Sequence, residues 1–275
     1  MENKIPKIIH YCWFGGKPLN DLALKCIESW QKYLPDYKIK RWDESNFDIN
    51  KCKYVKEAYE NAKWAFVSDY VRIWVLYHEG GVYFDTDVEV IKDIREIIQH
   101  GPYLGVERFI NNLGPNGCAG LGVAAGLGMA VNAGDKIIGE LLESYHSTSF
   151  IDEYNDLDNN TIVIKLSRIL QRNGLEDRND IQKVGNFYIY PADYFNPLND
   201  ATGNLKITSN TYSIHWYSGS WLDDASIVAK NNRYKYCGKY GDFIGGVVAR
   251  LVTAYNKGGL FYMMRKIRHK LMRSF

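Results

Sequence analysis

The residues with the most chemical potential sit in one short run, Gly80-Gly81-Val82-Tyr83-Phe84-Asp85-Thr86-Asp87. A diglycine turn opens an apolar stretch, and two carboxylates close it. In an extended chain, residues i and i+2 point to the same face, so Asp85 and Asp87 share one side of the strand end. Like charges that close repel unless a cation or hydrogen-bond donors intervene. Hard oxygen ligands suit Mg²⁺ or Mn²⁺, held jointly with substrate phosphates. An isolated D-x-D is by default a solvated turn. Here the apolar strand and the diglycine before it favour a site.

Three further clusters carry candidate chemistry. Upstream, Ser68, Asp69 and Arg72 lie on a helix, where Asp69 and Arg72 are i, i+3 neighbours on one face. A surface ion pair is the plain reading, but the surrounding aromatics point to burial. A buried Arg opposite a carboxylate pair suits a diphosphate or a sugar. In Ile5-Pro6-Lys7-Ile8-Ile9-His10-Tyr11-Cys12-Trp13-Phe14-Gly15-Gly16, Trp13 closes a first strand and can offer its ring for stacking. From the residues alone, a core Trp is the simpler assignment. In Ile214-His215-Trp216-Tyr217-Ser218-Gly219-Ser220-Trp221, His215 and Ser218 stand near a strand end and can complete a metal or phosphate site. The remaining histidines show no ligand spacing. Gly120-Leu121-Gly122-Val123-Ala124-Ala125 fits a relaxed dinucleotide fingerprint. That motif must follow a strand directly, and a turn-like stretch precedes it here, so a glycine-rich loop is expected.

The elements that position these residues alternate strand and helix. Strands are expected at Lys7–Phe14, Lys38–Trp42, Val82–Phe84, Val88–Ile91, Phe187–Tyr190 and Tyr212–His215. Helices are expected at Asp21–Leu34, Lys53–Asn61, Lys63–His78, Ile137–Tyr145 and Ile162–Gln171. This alternation implies an α/β sheet, largely parallel. Carboxylates at the carboxyl end of such a strand stand where α/β sheets bind ligands. Beyond Tyr240 the character changes, and residues 243–275 read as two short helices joined at Gly258-Gly259.

Composition sets the frame. The chain has 275 residues and a net charge of +2. A hydrophobic fraction of 46% and a charged fraction of 24% exclude disordered and fibrous classes. The small net charge speaks against a general nucleic-acid binder. Five widely spaced cysteines without C-x-x-C argue against a disulfide framework or a zinc site and fit a cytoplasmic setting. No signal peptide or membrane span is expected. The charge is uneven. Residues 250–275 hold seven basic and no acidic side chains, which leaves a net −5 on the first 249. From Leu260 to Phe275, Leu260, Met264, Ile267 and Leu271 line one helical face, with Arg265, Lys266, Lys270 and Arg273 mostly opposite. Such a helix suits an anionic membrane surface, or equally a solvated basic face on the domain.

Taken in order, IPKIIHYCWFGG (5–16), CIESWQKYLPDYKIKRWDE (26–44), FVSDYVR (66–72), GGVYFDTDVEV (80–90) and IHWYSGSW (214–221) resemble the family-32 glycosyltransferases, nearest to their bacterial capsular-polysaccharide branch. The family also relates to yeast initiating mannosyltransferases and to clostridial toxin glucosyltransferase domains. The resemblance is dense over residues 5–95, sparse over 105–210 and returns at 212–221.

The resemblance implies a GT-A domain over residues 1–242 with a mixed, mostly parallel sheet, and a basic helical tail over 243–275. It implies a nucleotide-sugar donor, Mn²⁺ or Mg²⁺, and retaining hexosyl transfer to a lipid-linked or oligosaccharide acceptor in capsule or surface polysaccharide synthesis. The cell site would be cytoplasmic, on the inner face of the plasma membrane through residues 260–275, with no nucleic-acid partner. Residue by residue, Trp13 matches the aromatic that stacks on the donor base, for which uridine is expected, with guanosine the alternative the family allows. Asp69 and Arg72 match the pair on the donor sugar and phosphates, and Tyr83 a residue near the nucleotide. Asp85 matches the first D-x-D acid, on ribose, sugar or metal, and Asp87 the direct metal ligand. His215, Ser218 and Trp221 fall in the motif that closes over metal and diphosphate. The stretch after Glu107 departs from the family, so Glu107, Asn111 and Asn112 are only candidates for the acceptor side.

Two readings compete. Asp85-Thr86-Asp87-Val88 also fits the nucleophile motif of haloacid-dehalogenase-like phosphohydrolases, but those place it on the first strand. A non-catalytic nucleotide- or carbohydrate-binding module is the other.

Overall fold

The computed structural model describes residues 5–110, 119–154, 160–219 and 224–271. The chain divides into two compact units, residues 1–197 with 207–216, and residues 198–206 with 217–275.

The first unit is α/β. Strands β1 (Ile8–Cys12), β2 (Lys38–Trp42) and β3 (Gly81–Tyr83) pair in parallel, with β1 central. Beyond β3 follow β7 (Met129–Val131), β5 (Tyr103–Ile110), β9 (Phe187–Tyr190) and β8 (Gln182–Val184). Strand β6 (Gly120–Ala124) lies antiparallel on β5. The sheet is mixed, and five of its eight strands (β1, β2, β3, β5 and β9) run one way. A second, two-stranded sheet pairs β4 (Val88–Val90) with β10 (Ser213–His215).

Local sequence explains the helices. Asn20 caps α1 (Asp21–Tyr33) by accepting from the Ala23 amide at 2.9 Å, and Pro35 follows its end. Helix α2 spans Lys53–Glu60. Helix α3 (Trp64–Glu79) buries Val67, Tyr70, Val71, Ile73, Val75 and Leu76, the all-round apolar pattern of an enclosed helix. Gly80 ends it at φ 65°, and a Cβ on Gly81 would stand 2.7 Å from the Ile8 carbonyl oxygen. The diglycine thus reverses the chain and lets β3 approach β1. Helices α4 (Arg95–His100), α5 (Lys136–His146), α6 (Phe150–Tyr154), α7 (Ile162–Arg172) and α8 (Ala192–Phe195) complete the unit.

Strand side chains alternate between two apolar clusters. Ile9, Val82 and Tyr103 enter one, while Cys12, Tyr83 and Leu104 enter the other. The sheet is therefore covered on both faces, as its near-continuous apolar strands require.

The second unit contains α9 (Asp224–Tyr240) packed on α10 (Asp242–Leu271). A Cβ on Gly245 would stand 2.3 Å from the Tyr236 carbonyl oxygen, so the two helices meet at backbone distance there. Non-helical Gly258 and Gly259 break α10 in two at the expected junction. Helix α9 has no apolar periodicity in the sequence and was not anticipated.

One expectation is corrected. The glycine-rich stretch from Gly120 is not a loop: it forms β6, a 3-10 turn (Ala125–Leu127) and β7. Glycines and alanines carry little alternating signal, and it is pairing with β5 that makes these residues strands.

Candidate active site

The D-x-D pair sits where the chain passes from one sheet to the other. Phe84 still donates its amide to the His10 carbonyl oxygen at 3.2 Å, and then the chain leaves β3. Asp85–Asp87 form a turn closed by the Val88 amide on the Asp85 carbonyl at 3.0 Å. Strand β4 begins at once and pairs Val88 with His215 of β10. The Trp216 amide donates to the Asp87 carbonyl at 2.9 Å. Asp85 therefore belongs to the carboxyl end of the large sheet, and Asp87 moves with the small one.

Arg72 organises the first half of the site. Its Nη2 lies 3.0 Å from both Asp69 Oδ1 and Asp85 Oδ1. Nη1 donates to Asp85 Oδ2 at 3.1 Å, and Nε to the Ser68 carbonyl at 3.2 Å. Only 6% of the Arg72 side chain is exposed. The Tyr83 hydroxyl donates to Asp85 Oδ1 at 2.9 Å, with its ring 4.8 Å from the guanidinium. Asp85 is thus held by a two-pronged charge-assisted contact and a phenol. Burial pushes the Asp69 carboxyl up to about 6, although Arg72 pulls it down. Burial also holds the Tyr83 phenol well above its usual range, so it stays a donor.

His215 organises the second half. Its Nε2 lies 3.1 Å from Asp87 Oδ1, with 14% and 13% of the two side chains exposed. Burial alone would lower the imidazole pKa. The Asp87 carboxylate outweighs it, and the net shift is upward. Asp85 and Glu107 add to that field. Glu107 is the extra residue of a β-bulge in β5, between the pairs Val106–Val123 and Arg108–Gly122. Bulges of this kind re-aim a side chain beside a site.

Asp85, Asp87 and His215 each offer a ligand atom within 4.8 Å of the others. Two carboxylates and one imidazole are a donor set that could hold a divalent ion. The fit rests on this donor set and its convergence. Arg72, one residue away through Asp85, adds fixed positive charge. The arrangement can bind and neutralise a diphosphate.

The other expected residues fall as follows. Trp13 stands one residue past the end of β1. It is partly exposed, packs on the second apolar cluster and donates Nε1–H to the Lys17 carbonyl at 2.6 Å. No described contact joins it to the acid cluster. Ser218 belongs to the second unit. Trp221, Asn111 and Asn112 lie outside the described residues, as do the side chains of 265–271.

Three neighbours were not anticipated. Cys12 is buried beside Tyr83, and burial pushes its thiol up to about 12. Lys165 of α7 is buried with its ammonium 4.2 Å above the Tyr145 ring, and its charge reaches Asp69. Gly126, in the 3-10 turn, adjoins Asp85 and Arg72. Only the fold brings these positions to residue 85, and no local spacing signals it.

Comparison with known proteins gives a family match for residues 20–104, to the glycosyltransferase sugar-binding region containing a DXD motif. The matched span includes Asp69, Arg72, Tyr83, Asp85 and Asp87. No curated protein matches the chain. Among solved structures, the PaToxG glycosyltransferase is 20% identical, with a TM-score of 0.43 over 61% of this chain and 69% of that one. A transferase mutant is 12% identical, with a TM-score of 0.37 over 62% of this chain and 86% of that one.

Proposed function

The chain is a glycosyltransferase with a DXD-type sugar-binding region, and on that premise we propose that it moves a hexose from a nucleotide sugar, a UDP-sugar in the first instance, to a saccharide acceptor with retention of configuration. The observation that carries this reading is the convergence of Asp85, Asp87 and His215 beside the Arg72 guanidinium. Retention and a role in capsule or surface polysaccharide come from the family resemblance; uridine is chosen for the stacking Trp13, and the family also allows guanosine.

In this mechanism Asp85, Asp87 and His215 would hold the divalent ion, which would supply positive charge against the negative charge growing on the leaving nucleoside diphosphate. Arg72 adds a second, fixed positive charge on the same side. Its fork is already set by Asp69, Asp85 and the Ser68 carbonyl, so little reorganisation accompanies the reaction. Tyr83 keeps its proton and holds the Asp85 carboxylate in place. Trp13 is assigned to the donor base, and Glu107 is a candidate for the acceptor side, both through the family resemblance. Ser218 and Trp221 are assigned to the diphosphate end through the family motif alone.

We assign transfer chemistry to residues 1–242 and surface attachment to residues 243–275. Support for attachment comes from charge and exposure. Residues 243–275 hold seven basic and no acidic side chains. Phe243 is 85% exposed, and Ile244, Tyr255 and Met264 are also exposed. No described helix is long and apolar enough to cross a membrane. A basic, apolar-studded helix suits the surface of an anionic bilayer carrying a lipid-linked acceptor.

The deciding experiment is a screen of nucleotide sugars with Mn²⁺, read as released nucleoside diphosphate. A UDP-sugar should be turned over, and Asp87→Ala should abolish turnover while the fold is kept. Unchanged turnover in that variant would remove the site assignment. Release of phosphate from simple phosphomonoesters, with no nucleotide sugar used, would favour the phosphohydrolase reading.

A further inference from the structure

The glycine-rich stretch gains a role from its place in the sheet. Strands β6 and β7 both lie antiparallel to β5 on the edge away from β9, with Gly105 facing Ala124 on one side and Tyr190 on the other. They form one interrupted partner of β5, and the interruption is the turn Ala125–Leu127. Strand β7 continues on to pair with β3, so the turn emerges at the end of β3 where Asp85 leaves the sheet.

There the backbone meets the acid directly. A Cβ built on Gly126 would lie 2.3 Å from Asp85 Oδ2 and 3.2 Å from Arg72 Nη1. No side chain fits at 126 while Asp85 holds its present position. Gly128 repeats the pattern one step back, since a Cβ there would lie 2.7 Å from the Phe84 ring. The same carboxylate serves Arg72 through both oxygens, Tyr83 through one and the cation site. Pushing the carboxylate away from Gly126 changes the geometry of all these contacts at once.

We infer that Gly126 is a positioning residue for Asp85: its bare α-carbon is the wall against which the carboxylate is set between Arg72, Tyr83 and the cation position. The inference deepens the reading of Asp85 as a cation- and donor-facing residue and rests on it for its functional consequence. The steric part stands by itself. Gly126 is not among the positive-φ glycines, so the backbone accepts alanine and the obstacle is the carboxylate. A Gly→Ala change at such a position is neutral or mildly stabilising when nothing is in the way.

The test is a double-mutant cycle on the full chain with Gly126→Ala, Asp85→Ala and the pair. Thermal midpoints are measured without metal, and Mn²⁺ affinity by calorimetry. Gly126→Ala alone should lower the midpoint and weaken Mn²⁺ about 10- to 100-fold, the usual loss when a ligand's supporting contact goes. In the Asp85→Ala background the same substitution should leave the midpoint unchanged or raise it. An equal fall in both backgrounds would overturn the inference, because the turn itself would then be intolerant. A normal midpoint and normal Mn²⁺ affinity in Gly126→Ala would also overturn it. Should Mn²⁺ fail to bind even the wild-type chain, the metal reading falls, while the midpoint cycle still decides the steric claim.

Discussion

Replacing Arg72 by Met tests the electrostatics of the site most directly. Arg72 is the cation shared by Asp69 and Asp85, at 3.0 Å from each, and 6% of its side chain is exposed. Met keeps much of the aliphatic volume and removes the charge. Breaking a buried pair from one side costs about 3–5 kcal/mol, because a buried charge is left without its counter-ion. For a unit of this size that is a fall in thermal midpoint of roughly 6–20 °C at pH 8. The loss should shrink in acid. Burial already raises the Asp69 carboxyl to about 6 with Arg72 present, and removing Arg72 raises it further. A carboxyl whose folded pKa lies above its unfolded value costs stability when ionised and recovers it as pH falls through the folded pKa. Each further unit of rise returns about 1.4 kcal/mol between pH 8 and pH 5. Differential scanning calorimetry of both proteins at pH 8 and pH 5.5 reads this. A deficit equal at the two pH values, or under about 2 °C at pH 8, would refute the argument that Arg72 compensates buried acids. Arg72→Lys should stay folded yet lose most nucleotide-sugar turnover, since an ammonium cannot reproduce the fork.

Other outcomes follow from groups around the sheet. His10 is buried, accepts from Trp42 Nε1–H at 3.0 Å and faces the Gly80 carbonyl at 2.9 Å, and burial lowers its pKa. Its folded pKa lies below the unfolded 6.5, so stability should fall as pH drops below 6.5, and urea midpoints of His10→Gln should lack that slope. Among the four described cysteines, Cys12, Cys26 and Cys237 are buried and Cys52 is partly exposed. Native alkylation at pH 8 should reach Cys52 and spare Cys12 and Cys26, whose thiols burial holds near 12; mass spectrometry of labelled peptides checks it. Truncation after Thr253 should release the protein from vesicles containing anionic lipid, in a sedimentation assay, and leave nucleotide-sugar hydrolysis intact.

Legibility followed the range of the interactions. The β1–β3 region is readable because the apolar period and the diglycine are local signals. Asp69, Arg72, Tyr83, Asp85 and Asp87 lie within nineteen residues of each other, so helix and strand periods alone suggest that they converge. His215 is 128 positions from Asp87 and joins it only because β10 pairs with β4. Spacing does not reveal that; the resemblance indicated it. Gly126, Cys12 and Lys165 carried no signal of their own. Their parts arise from pairing along β5, from the level of β1 beside β3, and from the packing of α7. The misread β6 shows the same limit, since its strand state comes from β5 and not from its own residues.

The passage of the D-x-D turn between two sheets has a mechanical consequence. Asp85 is anchored to β3 of the large sheet through Tyr83 and to helix α3 through Arg72, whereas Asp87 and His215 ride together on the small sheet. An ion gripped by all three would act as a rivet across that seam. Loading would then be felt as stiffness in the backbone of β4 and β10 as well as at the ligands. Amide exchange at Ser213–His215 should slow when Mn²⁺ is added, and the small sheet would report occupancy of the site before any sugar is transferred.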